Sequence, residues 1–437
     1  MPKSLSFRQG FSSVLFWSII SAAFIGPGTV ATAAQAGASF QLQLAWALVF
    51  SIVATIILQE AAARITLASG KSLGAIVASQ YPGAAGNRIR RALFLAVAFG
   101  CAAYQAGNLL GAVSGLGLAF PAPAPLLLLP IGIVGAWLLW QGNAQKITRL
   151  LAAVVAIMGV AFIGTAILQK DYGLAQVARE AFQVNIPEGG SLLVIGLIGT
   201  TIVPYNLFLA SGISQGQSLP EMRWGISLAI IIGGIISIAI LIAGTQVEGA
   251  FSFEALAGAV EQKLGANTGL LVAFGLFAAG LSSAVTAPFA AAITARSLLG
   301  ADGGDWAPRA RNFRFVWATI MGIGLLFGLL NVKPIPAIIL AQAINGVLLP
   351  LVVAFLILAI NDRRLLPPEY VNKTWQNLPA LLIFAITCFL GINNLWKAAA
   401  ATFPAWIGEP NLIANLIASL GIALVIGGKV CLPGRSR

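Results

Sequence analysis

The chain reads GPGT at residues 26–29 and GTTIVPYN at residues 199–206, and each segment interrupts an apolar stretch of membrane-spanning length, 13–37 and 191–214. Proline removes a backbone donor and clashes with the preceding helical turn, while glycine tolerates unwound backbone. Unwound backbone at membrane depth persists only where it is buried in protein or lines a cavity. Paired broken helices in two halves of a chain therefore predict a transport protein whose substrate site lies at the breaks.

The composition is that of a membrane protein. Of the 437 residues, 59% are hydrophobic and only 9% are charged, and the mean hydropathy is +0.92. A soluble protein carries roughly 25% charged residues, so we expect an integral membrane protein embedded in the lipid bilayer. About 12 spans are predicted, and 11 is the alternative because the segment 124–141 is short and begins in a proline-rich stretch. The predicted spans are 13–37, 41–67, 92–120, 124–141, 149–168, 191–214, 225–246, 268–297, 313–332, 336–360, 377–397 and 411–431.

Basic residues are distributed unevenly between the two ends of these spans. With a cytoplasmic N-terminus, 20 of the 25 Lys and Arg residues fall in inside segments and 5 in outside segments. This bias predicts a multi-pass protein of the cell (inner) membrane with both termini in the cytoplasm. It also accounts for most of the net charge of +12, so no nucleic-acid partner is expected. The chain has no His, and its three Cys residues lack metal-ligand spacing.

The order of the spans predicts an internal repeat. Residues 13–168 and 191–360 each hold five spans, and each group opens with a broken helix. An odd number of crossings turns the second group upside down, as in a 5+5 inverted repeat around a central site. The remaining segments are interpreted as a cytoplasmic tail (1–12), an extracellular loop (169–190) and two accessory helices with a tail (361–437).

Several motifs resemble those of the Nramp (solute carrier family 11) transporters. The stretch LQEAAAR at 58–64, with GKSL at 70–73 and YP at 81–82, is similar to the second helix and following loop of that family. The two breaks stand where the family has Asp-Pro-Gly-Asn and Met-Pro-His-Asn-Leu. The resemblance implies an all-α integral membrane protein with the LeuT-like fold, in which helices 1 and 6 of the inverted repeat are broken.

The departures from the family pattern fall at its functional positions. Where the family coordinates metal with Asp, Asn and Met, this chain has Gly26, Thr29 and Val203. Where the family's proton route has acidic residues and a His, the chain has Gln105, Asn108 and Tyr205. Charge and metal affinity are thus lost at both kinds of position, and no resident metal or cofactor is expected.

The altered breaks are better suited to an anion than to a divalent cation. Magnesium and manganese prefer carboxylates, and dehydrating such an ion in a neutral membrane cavity is very unfavourable. Helix N-termini instead offer free N–H groups and a positive dipole end, and we expect Thr29 to act as an N-cap hydroxyl. Bicarbonate, nitrate and chloride fit in size, and bicarbonate is favoured because it offers acceptors and one donor. The predicted substrate-binding residues are Gly26, Pro27, Gly28, Thr29, Thr200, Thr201, Val203, Tyr205, Asn206 and Gln342.

The resemblance also implies a coupling ion. LeuT-like folds often hold sodium between the first and eighth helices, and moving an anion inward against the membrane potential requires a driving force. The candidate sodium ligands are Phe24 on the first helix and Ser282, Ser283 and Thr286 on the eighth. We therefore predict sodium symport in place of proton coupling.

Other functions stay open. A divalent metal (manganese or magnesium) transporter of the Nramp type would use carbonyls and retained waters, and a sensor without transport is a further alternative. A membrane enzyme is disfavoured, because there is no His, no nucleophile–base pair and no carboxylate at the breaks. Packing is the structural alternative for Tyr205, Ser282 and Ser283, and interhelical hydrogen bonding for Gln342. The oligomeric state is not predicted.

Overall fold

A computed structural model describes residues 25–141, 145–213, 218–300, 305–330, 332–402 and 410–431. Regular structure within these ranges is entirely helical, which confirms the all-α prediction. The predicted tail at 1–12, the first half of the first span and the candidate sodium ligand Phe24 lie outside the described residues.

The helices of the described ranges are numbered here in chain order. They are α1 (Pro27–Phe40), α2 (Ala45–Ser69), α3 (Leu73–Gln80), α4 (Gly83–Ala119), α5 (Ala124–Gln141), α6 (Gln145–Leu168), α7 (Leu174–Phe182), α8 (Ser191–Thr201), α9 (Pro204–Ile213), α10 (Leu219–Gly244), α11 (Phe253–Leu264), α12 (Gly269–Leu299), α13 (Arg311–Leu329), α14 (Pro334–Ile360), α15 (Thr374–Thr402) and α16 (Leu412–Cys431).

Among the described residues, 10 helical segments are long and apolar enough to cross a membrane, with α8 and α9 together forming one of them. The predicted first and fifth spans correspond to α1 and α6, whose described apolar parts are shorter. The described part of each predicted span therefore contains helix. The last of them is α16, an unbroken helix of 20 residues.

Helix ends differ from the predicted spans where a helix continues past the apolar region. The predicted third span begins at residue 92, whereas α4 begins at Gly83, directly after Pro82. Hydropathy marks the apolar core of the membrane, and a helix can continue beyond it. The predicted polar loops also contain short helices, of which α3 is capped by the Ser72 hydroxyl and α11 by the Ser252 hydroxyl.

Close packing of α4 places its polar residues beside the first break. Helices α4 and α12 are in contact along much of their length, and a Cβ atom at Gly280 would lie only 2.6 Å from the Ala112 nitrogen. A Cβ atom at Gly111 would overlap the Pro27 ring. Small residues of this kind let helix backbones approach closely in membranes. The start of α1 is therefore held directly against the middle of α4.

Candidate functional site at the two helix breaks

The second break separates α8 from α9. Helix α8 ends at Thr201, and α9 begins at Pro204, whose ring nitrogen has no proton to continue the helical hydrogen bonding. The Ile202 amide donates to the Ile198 carbonyl at 2.8 Å, and the Asn206 amide donates to the Val203 carbonyl at 3.0 Å. Two non-helical residues thus join the halves of this span, and both are buried.

The first break lies at the start of α1. Gly26 is the N-cap residue in an extended conformation, Pro27 is the first helical residue, and the Val30 amide donates to the Gly26 carbonyl at 3.2 Å. Thr29 is consequently the third residue of the helix, and no side chain caps this end. The predicted N-cap role of Thr29 is therefore wrong, because the helix begins three residues earlier than that role requires.

Thr29 instead connects the two breaks. Its hydroxyl oxygen lies 3.0 Å from that of Thr200, although the two residues are 171 positions apart in the chain. Thr201 behaves differently: its hydroxyl donates to the Leu197 carbonyl at 3.0 Å, within its own helix. Of the two neighbouring threonines at the end of α8, Thr200 is the one whose side chain reaches the first break.

Three other helices each contribute a polar side chain to the start of α1. A Cβ atom at Gly28 would overlap the side-chain amide of Gln342 from α14. A Cβ atom at Gly26 would lie 3.0 Å from the Ser283 hydroxyl oxygen of α12 and 3.9 Å from the Asn108 Oδ1 of α4. The two glycines therefore provide the space in which these side chains meet the broken helix.

Many polar atoms around the breaks have no hydrogen-bond partner among the described residues. Buried polar groups are almost always paired in proteins, so such a group of unpaired atoms indicates a place where a solute or water can bind. Both donors and acceptors are represented. The unpaired atoms are Asn108 Nδ2, Tyr205 Oη, Asn206 Nδ2 and Oδ1, Ser283 Oγ and Gln342 Oε1.

The candidate sodium ligands on α12 do not all point toward α1. The Ser282 hydroxyl donates to the Ala279 carbonyl at 3.1 Å, and the Thr286 hydroxyl donates to the Ser282 carbonyl at 2.9 Å. Both bonds lie within α12. Ser283 is the residue of this group that contacts the start of α1.

The two residues at the former proton-route positions also have different surroundings. Gln105 donates from Nε2 to the Ala284 carbonyl at 3.1 Å and contacts the Met321 sulfur. Asn108 lies beside Gly26. Gln105 therefore links α4 to α12, while Asn108 belongs to the group at the first break.

Tyr104 is a residue of the site that the sequence reasoning did not identify. Its hydroxyl donates to the Gly199 carbonyl at 2.7 Å, and its ring meets that of Tyr205 edge-on, with the ring centroids 5.7 Å apart. The bond satisfies a carbonyl in the last turn of α8. Tyr104 lies four residues before Asn108 and thus on the same face of α4, a spacing that could have indicated its position.

The described residues at the breaks carry no formal charge. Glu60, the acidic residue within the second span, is paired with Arg64 at 3.1 Å and with Arg223 at 2.8 Å. No group of three or more His, Cys, Asp or Glu side chains occurs in the described ranges. The N-termini of α1 and α9 both lie at the breaks, and each adds a partial positive charge. The arrangement therefore offers neutral donors and acceptors in a weakly positive field.

Membrane-length helices arranged around two broken ones, with buried unpaired polar groups at the breaks, define a membrane transport protein. The model of the family described as "Natural resistance-associated macrophage protein-like" (Nramp) matches residues 18–397. The chain belongs to the Nramp family, as its sequence motifs predicted.

Relatives and solved structures agree with this placement. The chain is 23% identical over 401 residues to the divalent metal cation transporter MntH of Verminephrobacter eiseniae. The aligned region covers 86% of this chain and 88% of that protein. It is 28% identical over 232 residues to the metal transporter Nramp3 of Oryza sativa subsp. japonica, and this region covers 52% of this chain and 41% of Nramp3. The crystal structure of the Eremococcus coleocola manganese transporter has the same fold, with a TM-score of 0.73 at 18% identity. The superposition covers 99% of this chain and 96% of the manganese transporter.

Proposed function

We propose that this Nramp-family transporter carries a small monovalent anion, and that bicarbonate is the anion it carries. The observation that carries the proposal is the neutral first break, where Gly26 leaves the N-terminus of α1 without a nearby carboxylate among the described residues. A negatively charged solute is attracted by such a helix end. The same field opposes the entry of a cation.

The unpaired polar atoms support bicarbonate over nitrate or chloride. Asn108 Nδ2 and Asn206 Nδ2 are donors suited to the charged oxygens of a small oxyanion, while Gln342 Oε1 and Asn206 Oδ1 are acceptors. Bicarbonate has one O–H group to donate to such an acceptor, whereas nitrate and chloride have none. An acceptor left unpaired in a buried site weakens binding, so a solute that satisfies both kinds of group is favoured.

A divalent metal ion is the second candidate substrate, because the relatives include proteins named divalent metal cation transporters. Thr29, Thr200, Asn206 and Gln342 supply oxygen atoms near the breaks. These oxygens are neutral, and hard divalent cations take carboxylates in most protein sites. Transport of such an ion here would require it to keep several of its waters.

Sodium symport stays part of the proposal. The support for it is the unpaired Ser283 hydroxyl, which lies against the start of α1. In this scheme, sodium binding between α1 and α12 precedes or accompanies binding of the anion. Rocking of one helical group against the other then exposes the site to each side of the membrane in turn.

Uptake into proteoliposomes tests the proposal. Labelled bicarbonate and labelled manganese are offered separately at alkaline pH, where little free CO₂ crosses the bilayer, with and without an inward sodium gradient. We expect saturable bicarbonate uptake that the sodium gradient accelerates. Manganese uptake without bicarbonate uptake would establish the second candidate. Bicarbonate uptake that is indifferent to sodium would remove only the symport component.

A further inference from the structure

A second polar cavity lies at the far end of α9. It has a volume of about 340 Å³ and is bordered by the first turn of α3, the last turn of α9 and the last turns of α12. Among the residues that the structure describes, its polar lining consists of one guanidinium group and three hydroxyl groups and includes no carboxylate. These lining residues are Ser72, Ser211, Arg296 and Ser297.

Arg296 is positioned by an aromatic ring, with no acidic partner among the described residues. Its guanidinium carbon lies 5.9 Å from the centroid of the Phe313 ring, a cation–π contact that orients the side chain. The ion pairs of the described residues do not include it. Its N–H groups are therefore available to an anion, and a guanidinium group matches the geometry of planar oxyanions.

The hydroxyl groups and the start of α3 complete the cavity. Ser211 accepts from the Leu73 amide at 3.1 Å, which fixes the first turn of α3 against α9. The Ser297 hydroxyl is buried without a partner among the described residues, and it lies directly against Gly74 in that first turn. An unpaired buried hydroxyl and a free guanidinium group thus converge on one space, beside the positive end of the α3 helix dipole.

The cavity is connected to the central site through two helices. Helix α9 runs from the break at Pro204 to the cavity at Ser211, and α12 carries both Ser283 at the first break and Arg296. These two positions on α12 are 13 residues apart, or about 20 Å along the helix axis. The cavity therefore lies at the end of the bundle toward which the second half of the broken helix leads.

We propose that this cavity is a second binding station for a small monovalent anion, at which the solute pauses between the central site and the aqueous phase. The role in transport rests on the proposed anion function, whereas the binding itself rests on Arg296, Ser297 and the start of α3. Such a station raises the local anion concentration at one mouth of the pathway.

Bromide is a suitable probe, because it is a monovalent anion that can be located by anomalous scattering. Crystals of the wild-type protein soaked in bromide are expected to show a peak beside Arg296 and Ser297. The peak should be lost in Arg296→Gln, weakened in Arg296→Lys and unchanged in Arg309→Gln. Arg309 is the matched control, since it is an exposed arginine on the connection that follows α12 and does not line the cavity.

Transport kinetics provide the second measurement. Arg296→Gln should raise the KM for bicarbonate about tenfold, as expected for loss of a charged hydrogen-bond donor, with kcat little changed and Arg309→Gln like wild type. A wild-type protein that transports bicarbonate but shows no peak here would overturn this inference and leave the proposed function intact. A peak with an unchanged KM in Arg296→Gln would mean an adventitious ion only. Absence of both bicarbonate uptake and any peak would refute the proposed function itself.

Discussion

The missing side chain at Gly26 determines the electrostatics of the first break. Gly26 caps α1 with backbone alone, and its hydrogen atoms face Ser283 and Asn108. A carboxylate at this position would cancel the partial positive charge of the helix end. With glycine there, the partial charge is left uncompensated, and in the proposed function it is the bound anion that compensates it.

Replacing Gly26 tests that statement directly. We expect Gly26→Asp to lower the initial rate of bicarbonate uptake at least about tenfold, because a fixed negative charge within a few ångströms of the bound anion costs more than about 1 kcal/mol. Gly26→Ala is the steric control: its methyl group would meet the Ser283 hydroxyl oxygen at 3.0 Å, and that side chain can rotate away. Equal losses in the two variants would show that space, and not charge, governs the position.

At the scale of elements, the helix breaks could be predicted because proline and glycine act locally. Pro204 and Pro27 each fix the start of a helix. The second break lies between two described helices, where the sequence predicts it, and at the first break the structure describes the helix that begins at Pro27. The short helices α3 and α7 are not predicted by membrane-length hydropathy, since they lie in the loops between spans. Helix α3 is capped by the Ser72 hydroxyl, and α7 packs against α2.

The contacts between elements that are distant in the chain could not be predicted from the sequence, for a different reason. Nothing in the neighbourhood of Thr29 or Tyr104 indicates that their partners are Thr200 and the Gly199 carbonyl, because those pairings depend on how the two halves pack. Likewise, the resemblance to LeuT-like folds predicts sodium ligands on α12 as one group, which consists of Ser282, Ser283 and Thr286. Which hydroxyl turns away from its own helix is decided by rotamer and packing.

The packing of α8 on α14 leads to a prediction at this scale. A Cβ atom at Gly199 would overlap the Gln342 carbonyl oxygen and lie 2.6 Å from the Gly346 nitrogen. Both contacts are with backbone, which cannot move aside. We therefore expect Gly199→Ala to lower the thermal midpoint of the detergent-solubilised protein and to abolish most uptake. Gly322→Ala on α13 is the control, because no atom lies within 4 Å of its Cβ position. A Gly199→Ala protein as stable and active as the Gly322→Ala protein would contradict the packing described here.

On the scale of the molecule, one ion network ties separate parts of the chain together. Arg64 on α2 bonds to Glu60, to the Tyr370 carbonyl at 2.8 Å and to Asn372 Oδ1 at 2.6 Å, and Glu60 also pairs with Arg223 on α10. The connection before α15 is thereby joined to both helices. Because Arg64 is only 4% exposed, its loss leaves buried polar groups unpaired.

Substitution of Arg64 should therefore weaken the whole assembly. We expect Arg64→Gln to lower the free energy of unfolding by about 3 kcal/mol, seen as a lower thermal midpoint in detergent. Arg364→Gln removes an arginine whose side chain is 86% exposed, although that of its partner Asp362 is only 7% exposed, and we expect little change because the Arg364 charge is already solvated. Equal shifts for the two variants would mean that burial of the network does not contribute to stability.

The orientation of the molecule is a prediction from its basic residues. In a background without Cys101, Cys388 and Cys431, a cysteine at Lys170 should react with a membrane-impermeant maleimide in intact cells. A cysteine at Arg309 should react only after the cells are opened. The reverse pattern of labelling would place both termini outside.

The glycine contact between α8 and α14 has a mechanical consequence. At Gly199 the backbones of the two helices touch directly, so the pair should move as one rigid unit. Ile202 and Val203, the two non-helical residues between α8 and α9, would then be the hinge about which α9 rotates relative to this unit. The width of the substrate pathway would depend on the angle between α8 and α9 at this hinge, so a small rotation of α9 would be enough to admit an ion.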